Sequence, residues 1–125
     1  MRTLTDHKLN EVNESIEITA DARDEQYGNA SHLYTLAWTT DEENGIGQYV
    51  NIRFQRGPVK EVGVNGITNE ALIAVVMDRL RGFQAGPFAC RENASALKSL
   101  SMALDTLHSR TKDRLSRNVE GTNER

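Results

Sequence analysis

The apolar periodicity of this chain changes once, at Asn65-Gly66, and that change limits the fold more than any other feature. Before it, Ile16, Ile18 and Ala20 alternate with Glu17 and Thr19, and Tyr34, Leu36 and Trp38 alternate with Thr35 and Ala37. Val50, Ile52 and Phe54 alternate in the same way with Asn51, Arg53 and Gln55. Successive side chains of a strand point to opposite faces, so each run predicts a strand with one buried face. Asp41-Glu42-Glu43-Asn44-Gly45 reads as a turn, and Gly57-Pro58 and Asn65-Gly66 bracket a short fourth strand from Val59 to Val64.

Beyond Asn65-Gly66 the spacing becomes helical. Thr68 suits an N-cap, Glu70 falls in the first turn, and Leu72, Val75, Val76, Arg79, Leu80 and Phe83 follow the period of a helix that Gly86-Pro87 stops. A second helix starts near Cys90, carries Ala94, Leu97, Leu100, Leu104 and Leu107 on one side, and can run to Asn118 before Gly121. The fold class predicted is α+β: a small N-terminal antiparallel β-sheet over 1–66, then a C-terminal two-helix hairpin and tail over 67–125, as one compact unit. Helix rise gives the first helix about 22 Å and the second about 42 Å, an overhang of roughly four turns. Leu107 and Leu115, placed in that overhang, need cover from the sheet or from a second chain, and an oligomer is expected. Glu120 to Arg125 reads as a frayed end.

Charge is uneven along the chain. Residues 1–50 hold three basic and ten acidic side chains, residues 51–90 five and three, and residues 91–125 seven and five. An acidic front and a mildly basic back argue against DNA or general nucleic-acid binding, while leaving room for a basic pocket around a small anion. No apolar run approaches the length that spans a bilayer, and no apolar signal segment follows Met1, so a cytoplasmic protein is expected. The one cysteine, Cys90, excludes an internal disulfide.

Catalytic patterns are sparse. His7, His32 and His108 are scattered, with no Cys-x-x-Cys, His-x-x-x-His or P-loop, so neither metal nor cofactor is expected. Cys90 and His108 would lie about 27 Å apart on one continuous helix, too far for a nucleophile and its base. Arginine is the conspicuous residue. Arg110, Arg114 and Arg117, spaced by four and three, form one stripe near the end of the second helix, where cations either complement the helix dipole in solvent or present paired donors to a phosphate. Arg53 and Arg56 form a weaker cluster around a strand. Phe83 is either core or a flat surface for a base, and Asn93 and Arg91 are either surface residues or ligand contacts beside a helix N-terminus.

Phe54-Gln55-Arg56-Gly57-Pro58-Val59-Lys60-Glu61-Val62-Gly63-Val64-Asn65-Gly66, Asn69-Glu70-Ala71-Leu72 and Arg79 through Ala94 together resemble phage Thoeris anti-defence proteins, as do Arg110-Thr111 and Val119-Glu120-Gly121-Thr122. The resemblance covers most of residues 46–122. It implies a non-catalytic sponge that binds, without cleaving, the cyclic ADP-ribose signal of a bacterial TIR-domain enzyme inside the host cytoplasm. The family's helical hairpin is shared with anti-CBASS sponges, so cyclic di- and trinucleotides are implied as further partners. Carried over by position, the resemblance implies Phe83 as base-stacking ring with Asn93 beside it, and Arg110, Arg114 and Arg56 as phosphate- and ribose-facing arginines. It also leaves Arg91 as a second nucleotide locus if the homo-oligomer, a dimer or hexamer, brings symmetry mates together. Two rival functions fit the residues: a small nucleotide phosphodiesterase or hydrolase, and a protein-interaction module docking through its long helix.

Overall fold

The structure, a computed structural model, describes residues 1–41 and 45–125. The expected turn over 41–45 falls largely on 42–44, outside the described residues. Two compact units divide the chain, Met1–Gly57 and Pro58–Arg125.

The first unit is a four-stranded antiparallel sheet in chain order: β1 (Arg2–Leu4), β2 (Glu17–Ala20), β3 (Leu33–Asp41) and β4 (Ile46–Arg53). A five-residue helix, α1 (Glu11–Ser15), capped by the Asn10 side chain, joins β1 to β2. The register puts Leu4, Ile18, Leu36 and Val50 in one row across all four strands, which explains why the alternation in three of them shares a phase. Tyr34 stands on the same face and meets Phe54 edge-on, with ring centres 5.6 Å apart. Ala20 is 1% exposed. Buried Ser31 accepts a bond from the Arg2 guanidinium and donates to the Asp21 carbonyl, so a hydroxyl anchors the short first strand.

The second unit is helical, and here one expectation is corrected. Residues 59–62 form a single helical turn, α2 (Val59–Val62), not a fourth strand. Pro58 precedes the first turn and Gly63 ends it at a φ of 79°, the arrangement in which proline opens and glycine closes a helix. Val59 and Val62, three apart, therefore share a helix side instead of alternating across a sheet. The sheet's fourth strand is β1, too short to show a period, and the 58–66 segment clusters with the helices.

Helix α3 (Asn69–Gln84) has the expected bounds, and the Thr68 side chain accepts the Ala71 N–H as its cap. Helix α4 runs Arg91–Ser116, about 39 Å. The two pair as an antiparallel hairpin. Glu70, Ile73, Met77, Leu80 and Gln84 form the covered stripe of α3, with Met77 only 3% exposed. On α4 the covered stripe is Asn93, Leu97, Leu100, Leu104, Leu107, Thr111 and Arg114, alternating spacings of four and three without a break. Leu107 lines a cavity of about 420 Å³ with Asn69, Leu72, Ile73, Val76 and Leu100, so it lies level with the start of α3 and not in the overhang. The true overhang begins after it, and α2 and the tail serve it. Leu115 shares a second cavity, about 360 Å³, with Val59, Lys60, Asn118, Glu120 and Gly121.

The tail is not frayed. Asn118, at a φ of 59°, ends α4 in the left-handed region. The Val119 N–H bonds the Arg114 carbonyl and the Asn118 N–H bonds the Leu115 carbonyl, the crossed pair of a Schellman ending. The Gly121 carbonyl then accepts the Lys60 N–H at 3.0 Å, tying the tail to α2.

Candidate functional site

The residues singled out in the sequence fall into three places. Phe83 and Asn93 occupy the loop end of the hairpin. Gly86-Pro87 reverses the chain there, and Gln84 clasps the far side of the turn, its amide nitrogen donating to the Cys90 carbonyl and its amide oxygen accepting the Cys90 N–H. Cys90 caps α4 by accepting the Asn93 N–H on its sulfur at 3.4 Å. Phe83 is half-buried, and the Arg79 guanidinium lies over its ring, 5.0 Å from the centroid. Arg91 opens α4 with a 93% exposed side chain, 4.0 Å from Glu92.

Arg110 and Arg114 lie at the other end of α4, seventeen and twenty-one residues from Asn93. At 1.5 Å per residue, about 25 Å separates Asn93 from Arg110. The two arginines differ sharply. Arg110 is exposed, and among the described residues nothing bonds its side chain. Arg114 is 4% exposed and spends its guanidinium on the tail, donating to the Glu120 carboxylate at 3.2 Å, to the Val119 and Thr122 carbonyls at 2.9 and 3.1 Å, and to the Glu124 carbonyl. Arg117 is paired with Asp113 at 3.1 Å and with the Arg125 carbonyl. The three arginines share a stripe by spacing, but among the described residues only Arg110 has its whole guanidinium unspent.

Arg56 belongs to the sheet unit. Its Nε donates to the Asp24 carboxylate at 2.6 Å, and its guanidinium lies 5.1 Å from the centre of the Tyr27 ring. That bond, above all, holds the Asp24 carboxyl below its ordinary 3.8. Because the folded value is lowered, the pair's contribution to stability is present above the ordinary aspartate range and is lost as pH falls through the lower value. Among the described residues no group of histidine, cysteine or acidic side chains is placed to hold a metal ion.

Sequence reasoning gave no functional role to Arg79, Gln84 or Lys60. Arg79 was legible, since it stands four residues before Phe83 and therefore on the same helix face. Gln84 was not, because nothing in its spacing announces a clasp across a turn.

These positions coincide with a known module. The profile of the Acb2/Tad1 hairpin domain matches residues 47–111. That segment is over half of the 125 residues. The chain belongs to the Acb2/Tad1 hairpin-domain family. Arg56, Phe83, Arg91, Asn93 and Arg110 lie inside the matched segment, and Arg114 lies just beyond it. A protein of Bacillus phage SBSphiJ7 named Thoeris anti-defense 1 is 51% identical over 79 residues, which is 63% of this chain and 56% of that relative. The chain thus spans little more than half the relative's length. No helix among the described residues is long and apolar enough to cross a membrane.

The cap sulfur sets a test of the loop end. Serine is a better N-cap than alanine because its oxygen accepts the orphan N–H. Cys90→Ser should therefore leave helix stability unchanged or slightly raised, and Cys90→Ala should lose about 1 kcal/mol. Urea titration followed by circular dichroism separates the two, and equal losses would mean that the sulfur does something other than cap.

Proposed function

We propose that this protein counters the Thoeris defence by sequestering, without cleaving, a cyclic ADP-ribose-type signal. The observation that carries the reading is the match of the hairpin segment to the Acb2/Tad1 domain, together with the relative's printed name. The chemistry agrees. Such a signal offers a pyrophosphate to arginine forks, an adenine to an aromatic face, and ribose hydroxyls to amides. Phe83 and Asn93 supply the ring and amide, and Arg110 supplies unspent guanidinium donors. Arg114 acts by fixing the tail beside Arg110 as well as through its remaining donor, and Arg56, in the sheet unit, is a further candidate arginine that would have to exchange Asp24 for ligand oxygens.

The pocket is completed by a second copy. The loop end and the arginine end of one α4 are about 25 Å apart, too far for one small ligand. An antiparallel pairing of two α4 helices about a two-fold axis sets one chain's Phe83 and Asn93 against the other's Arg110. Exposed Val75, Val76, Met102 and Leu115 on the two long helices supply apolar surface for such an assembly. In a hexamer, Arg91 and its symmetry mates form a second anion locus for cyclic trinucleotides.

The test mixes protein with a cyclic ADP-ribose isomer made by a bacterial TIR-domain enzyme, passes the mixture through a protein-retaining filter, and heats the retained fraction. The expected result is depletion of ligand from the filtrate and its unaltered release on denaturation. Altered ligand would establish the hydrolase instead, and an undepleted filtrate would favour the interaction module.

A further inference from the structure

Arg79 is held in an unusual way. Its guanidinium carbon lies over the Phe83 ring, 5.0 Å from the ring centre. It is nevertheless exposed, and among the described residues no oxygen accepts a hydrogen bond from its guanidinium. Its helical neighbours three and four residues away are Val75, Val76, Gly82 and Phe83, so no carboxylate on its own helix is spaced to neutralise it. Other arginines of this unit contrast with it: Arg114 is committed to the tail, Arg117 to Asp113, and Arg91 stands beside Glu92.

A guanidinium carries five N–H donors, and contact with an aromatic ring gives none of them an oxygen acceptor. The contact with Phe83 therefore places the cation while no oxygen of the described residues takes its donors. An aromatic ring and a positioned, unspent fork side by side match the two ends of a nucleotide, its base and its phosphate. We propose that Arg79 is a further ligand-binding residue, an anion hook attached to the stacking ring: a nucleobase stacks on the face of Phe83 that Arg79 does not cover, and the phosphate joined to it through the ribose takes the Arg79 fork. This rests on the sequestration reading, in which Phe83 receives the base, and adds a phosphate contact at the loop end of the hairpin, away from the arginine end of α4. A cyclic pyrophosphate is then gripped from both sides, by Arg79 of one chain and Arg110 of its partner copy.

Calorimetric titration of the parent, Arg79→Gln and Arg79→Lys proteins with a TIR-made cyclic ADP-ribose isomer tests it, at low and at high salt. Glutamine keeps helix propensity and length, and circular dichroism confirms an unchanged helical content. The expected result is a ten- to hundredfold loss for Arg79→Gln, the span of one charge-assisted contact. Partial recovery is expected for Arg79→Lys, which keeps the charge but not the fork. Added salt should weaken the parent more than Arg79→Gln, because the variant has lost one ion contact. If the parent binds and Arg79→Gln binds within twofold of it, Arg79 only stabilises its helix and the inference fails alone. If the parent does not bind the ligand at all, the sequestration reading fails and this inference with it.

Discussion

Chains carrying Phe83→Ala and chains carrying Arg110→Ala should each bind the cyclic ADP-ribose signal poorly, and co-refolding them should restore tight binding at one site per mixed dimer. The expectation follows from the α4 geometry and from the differing states of its arginines. In the proposed pairing, the loop end of one chain faces the arginine end of the other, so each dimer would have two sites and each site would draw on both chains. In a mixed dimer the substitutions fall together at one site and leave the other with intact Phe83 and intact Arg110. Losing the stack should cost roughly 1–3 kcal/mol, and losing the charge-assisted bond roughly 1.5–3 kcal/mol. Each homodimer is then weakened by about tenfold or more at both sites. Native mass spectrometry counts the mixed dimers, and titration gives their stoichiometry and affinity. Mixed dimers that form in quantity yet show only the weak affinity of the parents would mean that the ring and the arginine do not share a pocket. Arg114 is left unmutated here because its burial makes any substitution a test of folding before it is a test of binding.

The same contrast shows what the sequence made legible. The bounds of α3 could be read because local chemistry sets them, a threonine that caps and a Gly-Pro that stops. The sheet could be read from alternation in β2, β3 and β4, whereas β1 has three residues and no period. Val59–Val62 carried both signals, since valines read as strand formers while the Pro58 and Gly63 brackets read as a helical turn, and the brackets decide the structure. Arg114 was half legible. By the arginine spacing it joins Arg110 and Arg117. By the apolar spacing it continues Leu100 and Leu107 at steps of seven, which places it on the covered face. The tail was not legible at all, because three of its four bonds to Arg114 are accepted by backbone carbonyls, which any sequence supplies. Phe83 and Asn93 were marked by the family's pattern, and Gly86-Pro87, which reverses the chain between them, put both at one end of the hairpin, whereas the Gln84 clasp needed the fold.

Replacing Arg114 with methionine should destabilise the helical unit by about 2–4 kcal/mol, while Glu120→Gln should cost only about 1 kcal/mol. The side chain of Arg114 is 5% exposed and makes four bonds, whereas that of Glu120 is 37% exposed and makes one of them. Removing the arginine takes away the donor to the Thr122 and Glu124 carbonyls, leaves the Val119 carbonyl only its bonds from Thr122, and frees the tail, and the Gly121 carbonyl then loses its fixed approach to the Lys60 N–H. Removing only the Glu120 charge leaves three carbonyl acceptors, and a glutamine oxygen can still accept. Breaking a buried ionic contact from one side costs roughly 3–5 kcal/mol, and solvent at Glu120 lowers that figure here. The losses should appear in urea unfolding of the helices, followed by circular dichroism. The fluorescence of Trp38, on β3, reports the sheet unit in the same titration. Equal, small losses for the two variants would show that Arg114 is an ordinary surface cation. Of its five N–H donors four are spent on the tail, so a ligand that claimed this guanidinium would have to displace Glu120 first. Glu120→Gln should then leave affinity for the signal within about twofold if Arg114 acts by holding the tail, and tighten it severalfold if Arg114 must leave the tail to reach the phosphate.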